Sequence, residues 1–252
     1  MAFTPYIARD RHFRDFRFDF HIANETGRSW YDGSPNQWMR EREWCLDQLR
    51  PGMTVVDCGA HHGMMSVLFA HAVGPSGTVH AFEALPSNAE VAESNAALNS
   101  MPQIRVHGVG VGETNASFRI EHNASNTVVM GGDNIAGTAA SDMVRIVRLD
   151  DALPADVRVD FIKIDVEGHD LQALRGMPRL LAQRPIIDLE LHNFLFAKRR
   201  ATLVAILEIL QPLGYGWSLL GEIDSQIESV GRLLDLERIL PFDNPHLMGL
   251  PG

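Results

Sequence analysis

The stretch Thr54-Val55-Val56-Asp57-Cys58-Gly59-Ala60-His61-His62-Gly63 passes from a short apolar strand through a glycine turn into an amphipathic helix at 64–73. A glycine in such a turn lets the backbone approach a ligand closely, and the free N–H groups at the helix start favour an anionic group. The stretch therefore predicts a nucleotide-like ligand. It does not fit the dinucleotide pattern G-x-G-x-x-G, because His61 replaces the second glycine or, in the other register, Asp57 replaces the first. Nicotinamide binding is disfavoured on this ground.

Further strands and helices alternate along the chain. Strands are predicted at 78–83, 104–109, 161–166, 186–191 and 215–220, with added strands at 118–121, 144–149 and 231–236. Helices are predicted at 37–49, 87–99, 171–183 and 201–213. Strands that alternate with helices are typical of a parallel sheet. The predicted fold class is therefore α/β, a Rossmann-like doubly wound domain with a mostly parallel seven-stranded sheet.

Two segments are assigned by their position and composition. Residues 1–50 are predicted to be an N-terminal covering segment, made of an aromatic arm and a helix, and 51–252 the ligand-binding domain. The stretch Asn126–Asp142 is rich in Gly, Ala, Asn and Ser and predicts a mobile loop. In a doubly wound sheet, ligands bind beyond the carboxyl ends of the strands, so functional residues are expected there.

Composition restricts the class of protein and its setting. The 252 residues are 45% hydrophobic and 21% charged, which is typical of a folded globular protein. The formal net charge of −10 disfavours a nucleic-acid partner. There are only two cysteines and no apolar run long enough for a signal peptide or a membrane helix, which predicts a cytoplasmic protein without a membrane partner. The sequence leaves the oligomeric state open.

An acid follows the second predicted strand of the sheet. Glu83 lies roughly 20 residues after Gly63, where a carboxylate can accept both hydroxyls of a ribose. The glycine turn, the helix and this acid occur in the order that a nucleoside site requires. Together they predict that the ligand contains adenosine.

Several stretches resemble the FkbM-type S-adenosylmethionine-dependent methyltransferases. The matching stretches, with Leu149-Asp150-Asp151, lie between about residues 50 and 195, and they are Val55–Gly63, Phe82–Pro86, Phe161–His169 and Glu190–His192. The resemblance implies a class I methyltransferase fold, S-adenosylmethionine as the donor and S-adenosylhomocysteine as the product. This family often has Asn and then a β-branched or small residue where His61 and His62 stand, and Pro where Ala84 stands.

The resemblance also implies which residues hold the donor. Carried over position by position, Asp57, Gly59 and Gly63 would surround the methionine part of the donor, and Glu83 would bind the ribose. The complete set of candidate donor-binding residues is Asp57, Gly59, Ala60, Gly63, Glu83, Ala84, Asn88, Gly110 and Asp165. His61 and His62 are expected to be exposed loop imidazoles without a catalytic role.

Charged residues interrupt two strands that should be buried on both faces. A period of two groups Lys163, Asp165 and Glu167 on one strand, and Asp188, Glu190 and His192 on the next. Charges in such strands must be paired or functional. Lys163 and Asp188, which lie deeper in the sheet, are expected to form a structural ion pair.

The strand tips carry the candidate catalytic residues. Asp165, Glu190 and His192, with Glu167 and His169 nearby, are expected to meet because these strands are neighbours in a class I methyltransferase sheet. A carboxylate or histidine there could remove a proton from a substrate hydroxyl. The same side chains could instead hold a divalent metal ion, or form a purely structural cluster. A protein base is favoured, because a hard ion prefers several oxygens and the carboxylates have histidines as charge partners.

The resemblance, together with the strand-tip residues, implies an S-adenosylmethionine-dependent methyltransferase that acts on a hydroxyl oxygen of a small molecule, such as a sugar or a natural-product intermediate. The first alternative is an NAD-dependent Rossmann oxidoreductase, which is disfavoured because no tyrosine has a lysine four residues later. The second alternative is a non-catalytic adenosyl-binding protein. A phosphate-binding G-x-x-x-x-G-K-[ST] loop and a G-x-S-x-G nucleophile elbow are both absent from the sequence.

Overall fold

The computed structural model describes residues 3–32, 39–123, 126–130, 143–222 and 225–252. The strands are β1 (Tyr6–Phe13), β2 (Phe16–Ile22), β3 (Thr54–Cys58), β4 (Thr78–Phe82), β5 (Ile104–His107), β6 (Gly110–Val111), β7 (Ala116–Asn123), β8 (Asn126–Met130), β9 (Met143–Val147), β10 (Phe161–Ile164), β11 (Ile186–Glu190), β12 (Gly216–Leu220), β13 (Ile227–Gly231) and β14 (His246–Leu250). The α-helices are α1 (Glu25–Tyr31), α2 (Met39–Gln48), α3 (Met64–Val73), α4 (Pro86–Leu98), α5 (Leu149–Ala152), α6 (Asp170–Arg175), α7 (Pro178–Ala182), α8 (Arg199–Leu210) and α9 (Leu236–Ile239). Short 3₁₀ turns cover Asn193–Leu195 and Gln211–Leu213.

The central sheet has eight strands in the order β13-β12-β14-β11-β10-β3-β4-β5. The strands from β11 to β5 run parallel, whereas β14 is antiparallel to both β11 and β12. The α/β fold with a mostly parallel sheet is confirmed, with one strand more than the seven predicted. The difference arises at the end of the chain, where 231–236 is not a strand, while β13 ends at Gly231 and β14 was not predicted.

Alternate residues of the central strands enter two separate cores. Val55 and Phe161 pack into one cluster with helices α3 and α4, whereas Val56 and Ile162 pack into the other with helices α6 and α8. Successive side chains of a strand point to opposite faces, so strands that are apolar at every position need a cover on both faces. The continuous apolar runs of β3 and β10 are thus the physical reason for the doubly wound arrangement.

The N-terminal residues form a hairpin rather than a single strand. Strands β1 and β2 pair antiparallel, and Phe18 and Phe20 of β2 are buried in the core on the α3 side of the sheet. Helix α4 holds the hairpin through its amide side chains: Asn95 Oδ1 accepts from the His21 N–H at 2.6 Å and Asn99 Oδ1 from the Asp19 N–H at 3.1 Å. The period-two alternation of aromatic and charged residues produces this half-buried sheet.

Two predicted helices differ in detail. The helix predicted at 37–49 begins at Met39 within the described residues, and its first two positions lie outside them. The helix predicted at 171–183 is two helices, α6 and α7, because Pro178 starts a new helix and Gly176 lies against Gly112, whose carbonyl oxygen would be 2.0 Å from an added Cβ.

The mobile loop predicted at 126–142 is wrong for its first part. Strand β8 pairs antiparallel with β7 in a four-stranded sheet of order β6-β9-β7-β8. The β-branched run Thr127-Val128-Val129 favours a strand over the surrounding Gly- and Asn-rich composition. The rest of the predicted loop, 131–142, lies outside the described residues. Among the described helices, none has the length and apolar character needed to cross a membrane.

Candidate active site

A cavity of about 460 Å³ opens at the carboxyl ends of β3, β4, β10 and β11. This volume lies within the range of small-molecule sites. All of the predicted donor-binding residues except Gly63 line this cavity, and so do the predicted catalytic residues Asp165, Glu190 and His192. The sequence therefore identified side chains that the fold brings to one place, although their chemical roles remain predictions.

The glycine turn after β3 is required by a close approach of two backbones. Gly59 has a φ of +84°, and a Cβ added there would lie 1.7 Å from the carbonyl oxygen of Asp165. The N–H groups of Gly59 and Ala60 both donate to the carbonyl oxygen of Phe82, at 2.8 and 3.0 Å. Only glycine fits this turn, which fixes the cavity floor against β4 and β10. Gly63 also has a positive φ, of +81°, and caps α3 instead of lining the cavity.

Two buried carboxylates, those of Asp57 and Glu83, accept hydrogen bonds on the β3–β4 side of the cavity. Asp57 accepts a hydrogen bond from Ser66 Oγ at 2.6 Å, and burial raises its pKa to about 6. Glu83 accepts from the backbone N–H groups of His61 and Leu85, each at 2.8 Å, and burial raises its pKa to about 7. A carboxylate has about four lone-pair positions, and the Asn88 side chain also interacts with Glu83, so Glu83 can still accept a bond from a further hydroxyl.

Gly110 packs tightly in the wall beside Glu83. A Cβ added to Gly110 would lie 2.6 Å from Ile146 Cδ1 and 3.1 Å from Ala84 Cβ. Asn88, at the start of α4, is buried and also lines the cavity. Contacts within the protein thus require a glycine at position 110, and Ala84, Asn88 and Gly110 all border the cavity next to Glu83.

A cluster of charged side chains occupies the opposite wall, where β10 and β11 end. His192 Nε2 lies 3.4 Å from Glu167 Oε2, 3.7 Å from Asp165 Oδ1 and 3.9 Å from Glu190 Oε1. The backbone N–H of His192 donates to Asp170 Oδ2 at 3.2 Å. We call Asp165, Glu167, Glu190 and His192 the acid cluster. His169 lines the same cavity.

The groups of the acid cluster have very different proton affinities. Burial opposes the charged form of His192, but the Asp170 carboxylate, whose Oδ1 lies 3.7 Å from Nδ1, and the charges of Glu190 and Asp165 raise its pKa to about 9. Burial raises the pKa of Glu190 to about 7, and that of Glu167 to about 7 as well. Despite its burial, Asp165 has its pKa lowered to about 2 by Lys163 and His192. At neutral pH His192 is therefore a cation, and Glu190 exchanges its proton readily.

The expected ion pair between Lys163 and Asp188 is wrong. These two residues are opposite each other in the β10–β11 register, but Lys163 Nζ binds Asp165 Oδ2 at 2.9 Å and Glu41 Oε1 at 3.3 Å. Asp188 binds His246 Nδ1 at 3.0 Å instead. The long lysine side chain reaches along its own strand and towards α2, and a histidine from β14 satisfies Asp188.

His246 is a part of the site that the sequence did not reveal. It lies opposite Glu190 in the β11–β14 pairing, and its Nε2 is 3.7 Å from Glu190 Oε2. Asn244 Nδ2 donates to Glu190 Oε1 at 3.3 Å. Burial opposes the charged imidazole, but Asp188 and Glu190 raise the pKa of His246 to about 10. No motif marks β14, so only its antiparallel pairing with β11 connects His246 to the site.

His61 and His62 are buried, not exposed as predicted. Their side chains stack with ring centroids 4.1 Å apart, and the residues are 8% and 0% exposed. Helix α1 covers them: the Tyr31 hydroxyl lies 2.9 Å from His61 Nδ1, and the Trp30 ring centroid is 4.9 Å from that of His61. Sequence reasoning missed α1, whose one signal was the Asn24 cap, which accepts from the Gly27 N–H at 2.8 Å.

Comparison with known proteins gives a family for this chain. Residues 57–231 match the Methyltransferase FkbM domain. A protein of Beauveria bassiana (strain ARSEF 2860) named Methyltransferase 1 is 26% identical over 144 residues, which are 49% of this chain and 57% of that protein. The chain thus spans little more than half the length of this relative.

Solved structures have a similar fold. The methyltransferase FkbM from Methylobacillus flagellatus KT is 20% identical, with a TM-score of 0.50 over 83% of this chain and 51% of that one. An rRNA methylase from Streptococcus thermophilus is 9% identical, with a TM-score of 0.52 over 84% of this chain and 95% of that one. At these identities the likeness concerns the fold, which is the class I methyltransferase fold. The family match excludes the nicotinamide alternative, and the chain belongs to the FkbM family of S-adenosylmethionine-dependent methyltransferases.

Proposed function

We propose that this protein transfers a methyl group from S-adenosylmethionine to a hydroxyl oxygen of a small molecule. The observation that carries this proposal is the buried carboxylate of Glu190, which lines the same cavity as the donor-binding residues and has a pKa of about 7. A general base works best when its pKa is near the working pH. A hydroxyl is the acceptor group that gains most from such a base.

The donor fits the wall formed by β3 and β4. We assign Asp57, Gly59 and Ala60 to the methionine end, because the turn backbone and the Asp57 carboxylate meet there, whereas Gly63 would act only by capping α3. Glu83 would accept the ribose hydroxyls, and Ala84, Asn88 and Gly110, which line the cavity beside it, would contact the adenine ring. When bound, the donor supplies an electrophilic methyl group on a sulfonium cation. Asp165 is the member of the acid cluster whose backbone meets Gly59 of the turn, and its carboxylate would supply a negative charge near that cation.

The acid cluster would prepare the acceptor hydroxyl. Glu190 accepts the hydroxyl proton, while the His192 cation stabilises the carboxylate form of Glu190 from 3.9 Å. Lys163 Nζ holds Asp165 in place by binding Oδ2 at 2.9 Å, whereas His192 Nε2 lies near the other carboxylate oxygen, Oδ1. Methyl transfer needs oxygen, methyl carbon and sulfur in line, so these fixed contacts contribute by positioning as well as by proton transfer.

A divalent metal ion is the alternative chemistry for the same residues. Asp165, Glu190 and His192 each offer a ligand atom, and these atoms lie within 4.8 Å of one another. Lys163 Nζ already binds Asp165 Oδ2 at 2.9 Å, however, and His246 Nε2 lies 3.7 Å from Glu190 Oε2. Both carboxylates thus have a basic side chain of the protein beside them, which favours the base over a metal ion.

The proposal also covers the type of acceptor, the cellular location and the domain boundaries. A small acceptor, not a nucleic acid or a membrane, is supported by the net charge of −10 and by a cavity of about 460 Å³. Cys45 and Cys58 are both free and buried, as a cytoplasmic protein would have them. We infer that residues 1–50 cover the donor site and 51–252 form the methyltransferase domain.

A methyl-transfer assay tests the proposal. The protein is incubated with methyl-labelled S-adenosylmethionine and a panel of sugars and hydroxylated natural products, and mass spectrometry locates the methyl group. We expect an oxygen-linked methyl group, unaffected by a chelator. Glu190→Gln should lower turnover by roughly 10²–10⁴-fold with affinity for S-adenosylhomocysteine unchanged. The matched control is Glu113→Gln, at an exposed residue paired with Arg175.

Three results would contradict it. Methylation on nitrogen or carbon would exclude the hydroxyl acceptor. Loss of activity with a chelator that Mg²⁺ or Mn²⁺ restores would favour the metal ion. Full turnover in Glu190→Gln would remove Glu190 as the base.

A further inference from the structure

Two N–H groups at the cavity wall have no partner among the described residues. One is Arg42 Nε and the other is His61 Nε2, and both atoms are buried. Arg42 and His61 line the same cavity as Asp57 and Gly59. A buried donor without an acceptor is unfavourable by roughly 1–3 kcal/mol, and more when it carries a charge. Both groups therefore lack a hydrogen-bond acceptor, which a ligand could supply.

The hydrogen bond between Tyr31 and His61 determines which imidazole nitrogen carries the proton. Burial lowers the pKa of His61 well below its ordinary value, so the ring is neutral. Tyr31 is half-buried, and desolvation raises the pKa of its hydroxyl, which keeps its proton. That O–H has no other acceptor among the described residues, so it donates to His61 Nδ1, 2.9 Å away. The ring proton is then on Nε2, the atom without a partner.

Arg42 forms no ion pair within the described part of the chain, although the charge of Glu41 acts on it and raises its pKa. Its neighbour Glu41 directs its carboxylate to Lys163, 3.3 Å away. The other groups that act on the guanidinium are Tyr31, which is protonated, and Arg11, which is a cation bonded to Asp32. Burial lowers the pKa of Arg42, which means that the surroundings disfavour the charged form. An anion in the cavity would reverse this effect.

We propose that Arg42 and His61 form a carboxylate-binding subsite, with Tyr31 between them. This inference rests on the proposed function, because it adds a contact to the same cavity. A guanidinium presents parallel N–H groups that match the two oxygens of a carboxylate, and the His61 Nε2–H adds a third donor. Two ligand groups have this chemistry: the carboxylate at the methionine end of the donor, and a carboxylate on the acceptor.

Calorimetry with two nucleosides separates these sources. S-adenosylhomocysteine has the carboxylate, whereas 5′-deoxy-5′-methylthioadenosine has the same nucleoside and sulfur without the amino-acid end. If the donor carboxylate occupies the subsite, Arg42→Met and His61→Phe each lower the affinity for S-adenosylhomocysteine by roughly 10- to 100-fold. The affinity for methylthioadenosine then changes by less than about 2-fold. Arg42→Lys keeps the charge and should lose less. The matched control is Arg40→Met on the same helix, because Arg40 binds Gln226 at 3.0 Å.

Acetate is the probe for the acceptor. It is titrated into protein saturated with S-adenosylhomocysteine, and binding is followed by broadening of its methyl signal in NMR. If the acceptor carboxylate occupies the subsite, acetate binds the wild-type complex and not Arg42→Met. The proposal is overturned if folded Arg42→Met and His61→Phe bind both S-adenosylhomocysteine and acetate as the wild type does. Wild-type protein that binds no S-adenosylhomocysteine would instead contradict the proposed function, and the acetate titration would still test the subsite.

Discussion

The two walls of the cavity are built in different ways. On the donor wall, Asp57 and Glu83 are held by Ser66 and by the backbone N–H groups of His61 and Leu85. On the opposite wall, Glu190 depends on charged side chains from other parts of the chain, chiefly His246. Backbone N–H groups are present whatever the side chains at positions 61 and 85, so these contacts need no charged partner. Charge contacts between distant elements can instead set proton affinities, which suits a wall that moves a proton.

The largest effect is expected from the charged wall. His192→Ala removes the cation between three carboxylates, which raises the pKa of Glu190 and lowers the base fraction at neutral pH. Turnover should fall by roughly 10²–10⁴-fold with donor affinity unchanged. Part of the loss should be recovered at higher pH, when Glu190 is again ionised. Steady-state kinetics between about pH 6 and 9, the range in which such a base titrates, measure the turnover of the variant and its recovery.

A histidine outside the site provides the comparison for that variant. His80 is buried in β4 and stacks on His107 with ring centroids 5.3 Å apart. His80→Ala should leave turnover of the folded protein unchanged at every pH. Equal losses in both variants would mean that the effect is structural and not specific to the acid cluster.

The donor wall should be most sensitive at its glycine turn. Gly59→Ala places a Cβ 1.7 Å from a carbonyl oxygen and requires a φ of +84°, so it should lower the free energy of unfolding by roughly 3 kcal/mol or more. Gly214 has a φ of +63°, but a Cβ added there would have nothing within 4 Å. Gly214→Ala should therefore lower the free energy of unfolding by only about 1 kcal/mol. Urea denaturation compares them. Similar losses would show that the close approach to β10 is unimportant.

Glu83 tests the ribose contact on the same wall. Glu83→Ala leaves one or two ribose hydroxyls without an acceptor. The binding free energy of S-adenosylhomocysteine should therefore weaken by on the order of 1–3 kcal/mol. Glu90→Ala, at an exposed position of helix α4, should have no effect on calorimetric affinity. Unchanged affinity in Glu83→Ala would remove this residue from the donor site.

The most gradual effect concerns stability against pH. His246 has a folded pKa of about 10, above the ordinary value of 6.5. A raised pKa contributes stability that is complete below the unfolded value and is lost as pH rises through the folded value. The free energy of unfolding should therefore decrease between about pH 7 and pH 10, by on the order of 1 kcal/mol for each pH unit. His246→Gln should lose less over this interval, and an equal loss would assign the effect to other groups.

The prediction from sequence was most accurate where the determinants are local. The run from Thr54 to Gly63 specifies a strand, a turn and a helix, because apolar residues, glycines and helix formers act over a few positions. Glu83 follows from the same short-range order. The strand tips of β10 and β11 were also predictable, since period two and parallel pairing bring Asp165 and Glu190 to one edge of the sheet.

The partners of these residues were not predictable in the same way. Lys163 was expected to pair with Asp188 because the register puts them side by side, yet Glu41 and Asp165 bind it. An ion pair depends on distances of a few ångströms between side chains, and residues far apart in sequence compete for each partner. No pattern along the chain encodes that competition.

By itself, the sequence determined the α/β class, the glycine turn and the carboxylates at the strand ends. Period, turn chemistry and composition are properties of neighbouring residues, so they can be read along the chain. Only the tertiary structure decided that β14 carries His246 to Glu190 and that α1 and α2 bring Tyr31 and Arg42 to the cavity. The physical reason is that burial and electrostatic interaction act through space. A side chain's proton affinity, and its free hydrogen-bonding groups, are therefore set by whatever the fold packs against it.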